Sequence, residues 1–452
     1  HSRPANIAWI MTGSCVTFPL IVQGWIPIAL GLSWWASFWA VVIGSLVGSL
    51  LLAPMALLSP RTGTNNPIGS SAHFGILGRI VGSVLGLIIS ILFTALAIWT
   101  GGDAITVSLS RLIDTPDNTA ARLVSYTLLG IAVTLVAIYG HATMLWMQRV
   151  VAWTAGPLLL IGIVVLWPKF DAGYAGGDYA LGGFWATWVA GAIPAALVVV
   201  GYSLAIGDWT RYISAEKHSS RRIMGATIVG GVFGMGGPVL WGAFTASMFA
   251  DHGAEYVGTL ISLSPLWFVI ALLYLGLGSG VAQGTVNMYS TGLDLSSIFP
   301  RLRRVPATSL VAVASYVVVI VGTVSGTIID NLITMLDLLM VGFVSFVTVV
   351  AVGYWNHRGQ YDPMALQAFA RNEKGGRYWF TGGWNWRAMS AFGLATVAGL
   401  CGLNTAWYQG PFVDLFGGLG LGFLISAAVA AVSYTLFLTL APEDDSEYVS
   451  GR

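Results

Sequence analysis

The stretch Ala196-Leu197-Val198-Val199-Val200-Gly201-Tyr202-Ser203-Leu204-Ala205-Ile206-Gly207-Asp208-Trp209-Thr210-Arg211-Tyr212 decides the reading of this chain. It opens as an apolar membrane helix and meets two glycines six residues apart, with Tyr202 and Ser203 between them. It closes on an acid and a base three residues apart, Asp208 and Arg211. A helix that faces lipid has no use for such an interruption. Backbone freed from helical bonding at membrane depth is tolerated only where protein or a water-filled cavity satisfies it. A Gly-interrupted apolar segment therefore points to a buried binding site, most strongly when the other half of the chain carries a counterpart.

Composition agrees with a membrane setting. The 452 residues are 56% hydrophobic and only 9% charged, with 57 glycines and 19 tryptophans. A soluble domain carries roughly a quarter charged residues, so this is a polytopic membrane protein. A net charge of +1 without a basic run gives no footing for a nucleic-acid partner. Cys15 and Cys401 lie far apart in apolar surroundings and read as buried thiols rather than a disulfide. No His/Cys cluster has metal-ligand spacing, so neither a metal site nor a cofactor is expected. No cleavable signal peptide is visible, and His1-Ser2-Arg3-Pro4-Ala5-Asn6 reads as a cytoplasmic lead-in.

Apolar stretches of about 20 residues bounded by charge or turn residues predict twelve helices. They span 7–31, 34–58, 79–108, 121–140, 144–167, 185–211, 221–249, 259–293, 307–324, 328–355, 386–405 and 413–440. With the N-terminus inside, seventeen of the 20 Lys and Arg fall on the cytoplasmic side, Arg301, Arg304 and Arg452 among them. Only Arg111, Arg122 and Lys169 fall outside, where Asp114, Asp117, Asp171, Asp178, Asp251 and Glu255 collect. The positive-inside bias thus puts both termini in the cytoplasm of a cell-membrane protein.

Loop 356–385 separates ten helices from two. The expected organisation is a transport core over 1–355, with halves of about 6–167 and 185–355. After it come the cytoplasmic loop 356–385, two accessory helices over 386–440 and a cytoplasmic tail at 441–452. Five is odd, so a five-helix repeat inserts the second time with opposite orientation. The first helix of each half is the interrupted one. Helix one reads Thr17-Phe18-Pro19-Leu20-Ile21-Val22-Gln23-Gly24-Trp25-Ile26-Pro27, two prolines flanking a Gln-Gly pair, and each proline removes a helical hydrogen bond. An unwound contact at Gln23 and Gly24 is expected, matched by Gly201, Tyr202 and Ser203 in helix six. Pro and Gly are common in membrane helices, so the coincidence of position carries the argument.

Helix eight holds Gln283 and Asn287, four residues apart and so on one face, with Ser279 and Ser290 roughly continuing the stripe. Two carboxamides a turn apart at membrane depth need partners where there is no water. In helix three, Phe93 lies near the midplane as a ring that could cover a flat substrate. Trp99 reads equally as a stacking ring or an interfacial anchor. Among intramembrane acids, Asp103 lies in the outer part of helix three. Asp208 lies at the inner end of helix six with Arg211 one turn on, the pattern of a salt bridge or inner gate. Asp337 lies two turns into helix ten, after Asp330 and Asn331, for which an N-cap role suffices. Only Asp208 has an obvious cationic partner. The histidines His73, His141, His218 and His357 read as loop residues.

Helices one, six and eight resemble the purine–cytosine permease branch of the nucleobase–cation symporter family. The resemblance runs over nearly the whole chain, through Gly31-Leu32-Ser33-Trp34-Trp35, Pro60-Arg61-Thr62-Gly63-Thr64-Asn65-Asn66-Pro67 with Ser70-Ser71-Ala72-His73-Phe74-Gly75, Gly207-Asp208-Trp209-Thr210-Arg211-Tyr212, Asn287-Met288-Tyr289-Ser290 and Val352-Gly353-Tyr354-Trp355. It implies an all-α fold of the LeuT type, a five-plus-five inverted repeat with two extra C-terminal helices. Helices one, two, six and seven would then move against three, four, eight and nine. It also implies a flat nitrogen heterocycle as substrate, such as a nucleobase, hydantoin or allantoin, taken up with Na⁺ or H⁺. Asn287 falls on the family's substrate-binding carboxamide. Two positions depart from the pattern. The stacking tryptophan of helix three falls at Phe93, and the polar residue a turn later is Ala97. The Ser/Thr pair that holds Na⁺ in Na⁺-coupled members falls at Val281 and Ala282, and a hard cation wants oxygen ligands. H⁺ coupling is therefore the expectation over Na⁺, with Asp103 or Asp337 as carrier.

The reading is a transporter, not an enzyme, importing a small planar nitrogen heterocycle by cation symport through alternating access. Substrate contacts are expected at Gln23, Gly24, Phe93, Trp99, Gly201, Tyr202, Ser203, Gln283 and Asn287, and coupling or gating at Asp103, Asp208, Arg211 and Asp337. An amino-acid or amine carrier of the same fold would need a carboxylate facing the ammonium, and helices one and six offer no midplane acid. Na⁺-coupled hydantoin or allantoin transport is the other alternative. A channel lacks a polar pore stripe, and no catalytic cluster of His, Asp and Glu is seen on the cytoplasmic loops.

Overall fold

The structure, a computed structural model, describes residues 2–443 apart from 140, 252–254, 300, 301, 326, 327, 370, 372 and 406. Arg301 and Arg452 of the orientation argument lie outside the described residues, as do the side chains of His141, Ser279, Arg304, Asp330 and Asn331.

The long apolar runs form helices, as their length and hydropathy require. Among the described residues nine are long and apolar enough to cross a membrane, or ten if the bent pair that forms helix one is a single span. The shorter helices Phe184–Val200 and Trp386–Cys401 complete an order compatible with twelve spans. Helix two runs Trp34–Leu52 and Met55–Thr62, helix three Arg79–Ile113, helix four Thr119–Tyr139 and helix five His141–Leu166. Helix seven comprises Ser220–Val229 and Gly236–Ala246 joined by a π-helical turn. Helix nine is Arg304–Ser325, helix ten Ile328–Asn356 and helix twelve Gly422–Leu440.

Helix one breaks earlier than its sequence suggests. Ala5–Cys15 and Phe18–Ala29 meet at 84° across Val16 and Thr17. Phe18–Gln23 is helical, and Gly24 keeps right-handed angles of φ −71° and ψ −21°. The expected unwinding at Gln23 and Gly24 is therefore corrected. Pro19 occupies the first turn of the restarted helix, where its missing N–H would have no partner anyway. Helix six breaks where expected, as Phe184–Val200, five turn residues at 201–205, then Ile206–Thr210.

Helix eight is shorter at its start than the 259–293 span. Ser264 and Pro265 are extended, Pro265 disfavouring helix at the residue before it, so the helix begins at Leu266 and continues to Ile298 through a π-helical turn at Leu275–Ser279. Tyr256–Leu263 is a separate helix, whose first N–H groups, at Val257 and Gly258, donate to Glu255 at 2.8 and 2.7 Å. Helix twelve starts at Gly422 rather than 413, after Gly417 and Gly418 at φ +64° and +83°.

Small residues decide which helices approach. A Cβ on Gly24 would lie 1.8 Å from the Val239 carbonyl oxygen, and one on Gly242 would lie 1.8 Å from that of Ile21, which sets helix one against helix seven. Gly44 and Gly48 admit the Ala192 and Ala196 carbonyls and join helix two to helix six. On the other side, Gly101 and Gly276 bring helix three to helix eight, Gly284 brings eight to four, and Gly292 brings eight to nine. Packing through small residues is how membrane helices associate where lipid is as apolar as leucine. Two close-packed groups result, one, two, six and seven beside three, four, eight and nine.

Ser2 and Glu443, the first and last described residues, are both held at one end of the bundle, the near end. Ser2 N donates to Tyr212 O at 2.9 Å. Asn385 Nδ2 donates to His73 O at 2.7 Å and to Glu443 Oε1 at 2.8 Å, while His357 pairs with Glu443 at 3.0 Å. Loop 356–385 is thereby stitched to the segment after helix two. His73, expected as a loop residue, is buried in the short helix Ser71–Phe74. Burial, and then neighbouring His357, hold its imidazole well below its ordinary pKa.

Gly24→Ala is expected to destabilise the protein by about 1–3 kcal/mol or more, because two backbones must separate. Gly225→Ala, with nothing within 4 Å of the new methyl, should not. Thermal melts of both variants in detergent check this.

Candidate functional site

The two helix breaks converge on helix eight. Thr17, at the break in helix one, donates through its hydroxyl to Gln283 Oε1. Tyr202, first residue after Gly201 in the break of helix six, places its hydroxyl beside Cys15 and Gln283. The Nδ2 of Asn287 makes no hydrogen bond among the described residues, and the Nε2 of Gln283 and the hydroxyl of Tyr202, although near one another, lack a partner in hydrogen-bond geometry there. Gln283 is fully buried, and an unmet buried donor costs about 1–3 kcal/mol. One turn of helix eight thus carries two unused amide donors, with a phenol alongside.

The backbone freed at 201–205 is satisfied from the segment after helix two. Asn66 Nδ2 donates to Ser203 O at 2.6 Å and to Met55 O at 3.0 Å, and its Oδ1 accepts from Ser59 Oγ at 2.8 Å. The Ser203 hydroxyl donates to Val200 O at 2.6 Å, so both polar groups of Ser203 are engaged within the protein. Gly207 is glycine because of Asn66, whose amide N and Oδ1 would each lie 2.6 Å from a Cβ there. Gly201 has ordinary helical angles. Its bare face meets Met340 Cε and Phe93 Cε2, which would stand 3.1 and 3.4 Å from a Cβ.

A cavity of about 380 Å³ opens from the far end, framed by Leu30, Leu181 and the loop carrying Asn404 and Thr405. Gln23, Phe93, Pro194, Asp337 and Met340 line it, whereas Tyr202, Gln283 and Asn287 do not. Phe93 and Met340 therefore close the floor against Gly201, with the polar cluster beyond. Gln23 belongs to this cavity as a helical residue, and Gly24 packs against helix seven instead.

Trp99 and Asp103 face a different hollow, shared with Asp117, Arg122, Tyr126 and Glu255. Asp103 Oδ1 accepts from the Tyr126 hydroxyl and lies 3.4 Å from Arg122 Nη1. That corrects the reading in which only Asp208 had a cationic partner. Arg122 sits on helix four, 19 residues away, beyond any pattern visible within one helix. Asp208 in turn accepts from Ser290 Oγ of helix eight at 3.1 Å. The expected Asp208–Arg211 salt bridge is absent among the described residues; Arg211 donates to the Tyr212 hydroxyl at 3.0 Å and lies over its ring.

Sequence reasoning missed three participants. Asn66 reads as a loop residue and Thr17 as one more residue of helix one, although each is polar and lies within two residues of a proline. Gln148 is a lone carboxamide in apolar helix five, and its Nε2 donates to Ala282 O at 2.8 Å.

A family model described as permease for cytosine/purines, uracil, thiamine, allantoin matches residues 1–430. The chain belongs to this family. It is accordingly a multi-pass membrane transporter of the nucleobase–cation symporter kind, and not an enzyme. A curated relative, "Putative purine-cytosine permease YxlA" of Bacillus subtilis (strain 168), is 24% identical over 97% of this chain and 93% of its own length. Among solved structures the fold is similar to Mhp1, a nucleobase-cation-symport-1 family transporter, in a closed conformation with bromovinylhydantoin bound. That match has a TM-score of 0.72 at 16% identity over 98% of this chain and 94% of the other. A Na⁺-coupled sialic acid symporter matches at a TM-score of 0.62 and 12% identity, over 98% and 90% of the two chains. These likenesses carry the LeuT-type fold, the five-plus-five inverted repeat with two helices added.

Asn66→Ala should leave the Ser203 carbonyl without its partner and destabilise the transporter by about 1–3 kcal/mol. Thr64→Ala, a nearby change that leaves the Asn66 bonds in place, should cost less. Thermal unfolding in detergent compares the two.

Proposed function

We propose that this transporter imports a small planar nitrogen heterocycle together with a proton, by alternating access. The observation that carries the reading is the unpaired set on helix eight and at the break of helix six, the Gln283 and Asn287 amides and the Tyr202 hydroxyl. A flat amide-bearing ring presents donors and acceptors in its plane and π-faces above and below it. Carboxamides both donate and accept, and rings such as Phe93 and Tyr202 stack. The substrate enters the far-end cavity, passes Phe93 and Met340 and completes the cluster. It favours one state over the other only through differential affinity. The excess of Lys and Arg at the near end makes that end cytoplasmic and the far-end cavity outward-facing in a cell membrane.

Na⁺ does not fit the position the family pattern would assign it. Val281 and Ala282 offer no side-chain oxygen, and the Ala282 carbonyl already accepts from the amide of Gln148. Proton coupling is the reading these residues support, and Asp337 is the preferred carrier, because Asp103 is held by Arg122 and Tyr126. A second reading, an amine carrier, draws on the carboxyl of Asp337 facing the cavity.

A panel of nucleobases, hydantoins and allantoin is tested for thermal stabilisation of the purified protein in Na⁺ or choline. Stabilisation by a heterocycle, equal in both salts, is expected; a strict Na⁺ requirement overturns the coupling, and stabilisation by aliphatic amines alone selects the second reading. Asn287→Ala should abolish the stabilisation while the protein stays folded, and unchanged affinity would sink the helix-eight assignment.

A further inference from the structure

The far-end cavity has a wall that the five-plus-five repeat does not supply. Leu403, Asn404, Thr405, Gly420 and Phe423, all from the hairpin of helices eleven and twelve, line it beside helices one, three, six and ten. The loop of that hairpin is held in shape by its own bonds. Gly410 N donates to Leu403 O and Thr405 N to Tyr408 O, both at 2.8 Å. The Thr405 hydroxyl is used there too, accepting from Tyr408 N and donating to Tyr408 O, each at 3.1 Å. The side-chain amide of Asn404 is not used. Among the described residues it makes no hydrogen bond, and neither does the side-chain amide of Gln23, which lines the same cavity from helix one.

A cavity of about 380 Å³ with mostly apolar walls and a few polar groups has the size and make-up of a small-molecule site. A passage for solute and water alone needs neither. A carboxamide holds a donor and an acceptor side by side, and it can turn over. It therefore pairs with a ring N–H beside a carbonyl as readily as with an amino group beside a ring nitrogen. Two such groups, with the rings of Phe93 and Phe423 on the same walls, match the features that planar amide-bearing heterocycles share. They do not tell one such ring from another. Tyr202, Gln283 and Asn287 do not line this cavity, and Phe93 and Met340 stand between, so a ligand held here does not touch the buried cluster.

We propose that the far-end cavity is a second binding station for planar amide-bearing heterocycles, occupied before the buried cluster, and that Asn404 and Gln23 make its polar contacts. The proposal rests on the heterocycle-carrier reading above. It gives the two helices outside the repeat a part in substrate capture, through Asn404. The station is weak, because it offers a few neutral hydrogen bonds at a mouth open to water. It is also permissive, which leaves selection among heterocycles to the cluster beyond Phe93 and Met340.

The test is saturation-transfer NMR on the purified transporter with cytosine, uracil and allantoin, each titrated in turn. This readout suits a weak station, because a ligand near its own Kd scarcely raises a melting point. The unaltered protein should give a signal with at least one of the three. Asn287→Ala, which disables the buried cluster, should still give a weak, saturable signal with all three. In that background Asn404→Leu or Gln23→Leu should raise the half-saturating concentration about three- to tenfold, the equivalent of one neutral hydrogen bond. Asn404 has no bond to lose in the folded loop, so its variant should fold as the parent does. Loss of all signal in Asn287→Ala overturns the station and leaves the carrier reading in place. So does a half-saturating concentration that neither Asn404→Leu nor Gln23→Leu moves, since the cavity is then a water-filled passage. No signal from any heterocycle with the unaltered protein overturns the carrier reading and this one together.

Discussion

A chain that unwinds inside an apolar bundle must find partners for the peptide groups it frees, and the architecture depends on where those partners come from. At the break of helix six the partner is Asn66, which reaches from the segment after helix two to the Ser203 carbonyl. The same side chain binds Met55 O and Ser59, so three elements are tied at one amide. Gly207 exists to let it in. An unsatisfied carbonyl at this depth costs several kcal/mol in the hydrocarbon limit, so the broken helix and the loop that services it are one structural unit.

The second break, in helix one, is serviced from helix eight. Gln283 accepts from Thr17 and keeps its own amide donor unused, while Gln148 of helix five caps Ala282 one residue earlier. Polar groups from helices one, five, six and eight thus meet in a volume that the far-end cavity approaches and does not enter. Phe93 and Met340 stand between. At the near end the Ser290 hydroxyl donates to Asp208 and ties helix eight to helix six. The small-residue seams within each four-helix group let each group behave as a body, because a backbone-to-backbone contact cannot stretch as a side-chain contact can.

Much of this is legible in the chain. The run of apolar segments requires a polytopic helical protein, and Gly201 to Gly207 mark the break of helix six to within a residue. The break of helix one is harder to place, because Pro19 and Pro27 suggest an interruption between them, whereas proline sits comfortably in the first turn of a new helix. The start of helix eight is hidden because 259–263 is as apolar as the helix beyond Pro265. Hydropathy cannot see that this proline ends one helix and opens another. The carboxamides Gln283 and Asn287 stand out from their spacing alone. Asn66, Thr17 and Gln148 do not, since their importance comes from partners far along the chain.

By itself the sequence determined the features that rest on local terms. Hydropathy sets the spanning segments, glycine marks the broken one, and charge asymmetry argues the orientation. The family pattern, spread over nearly the whole length, adds the transporter class. Tertiary structure decided the pairings. It alone gives Asp103 an arginine from another helix and moves Asp208 from Arg211 to Ser290. It also leaves Asp337 facing a cavity while Trp99 turns to a different one. The physical reason is that a polar side chain in an apolar bundle is defined by the groups it meets. Sequence spacing reports only neighbours on the same helix face.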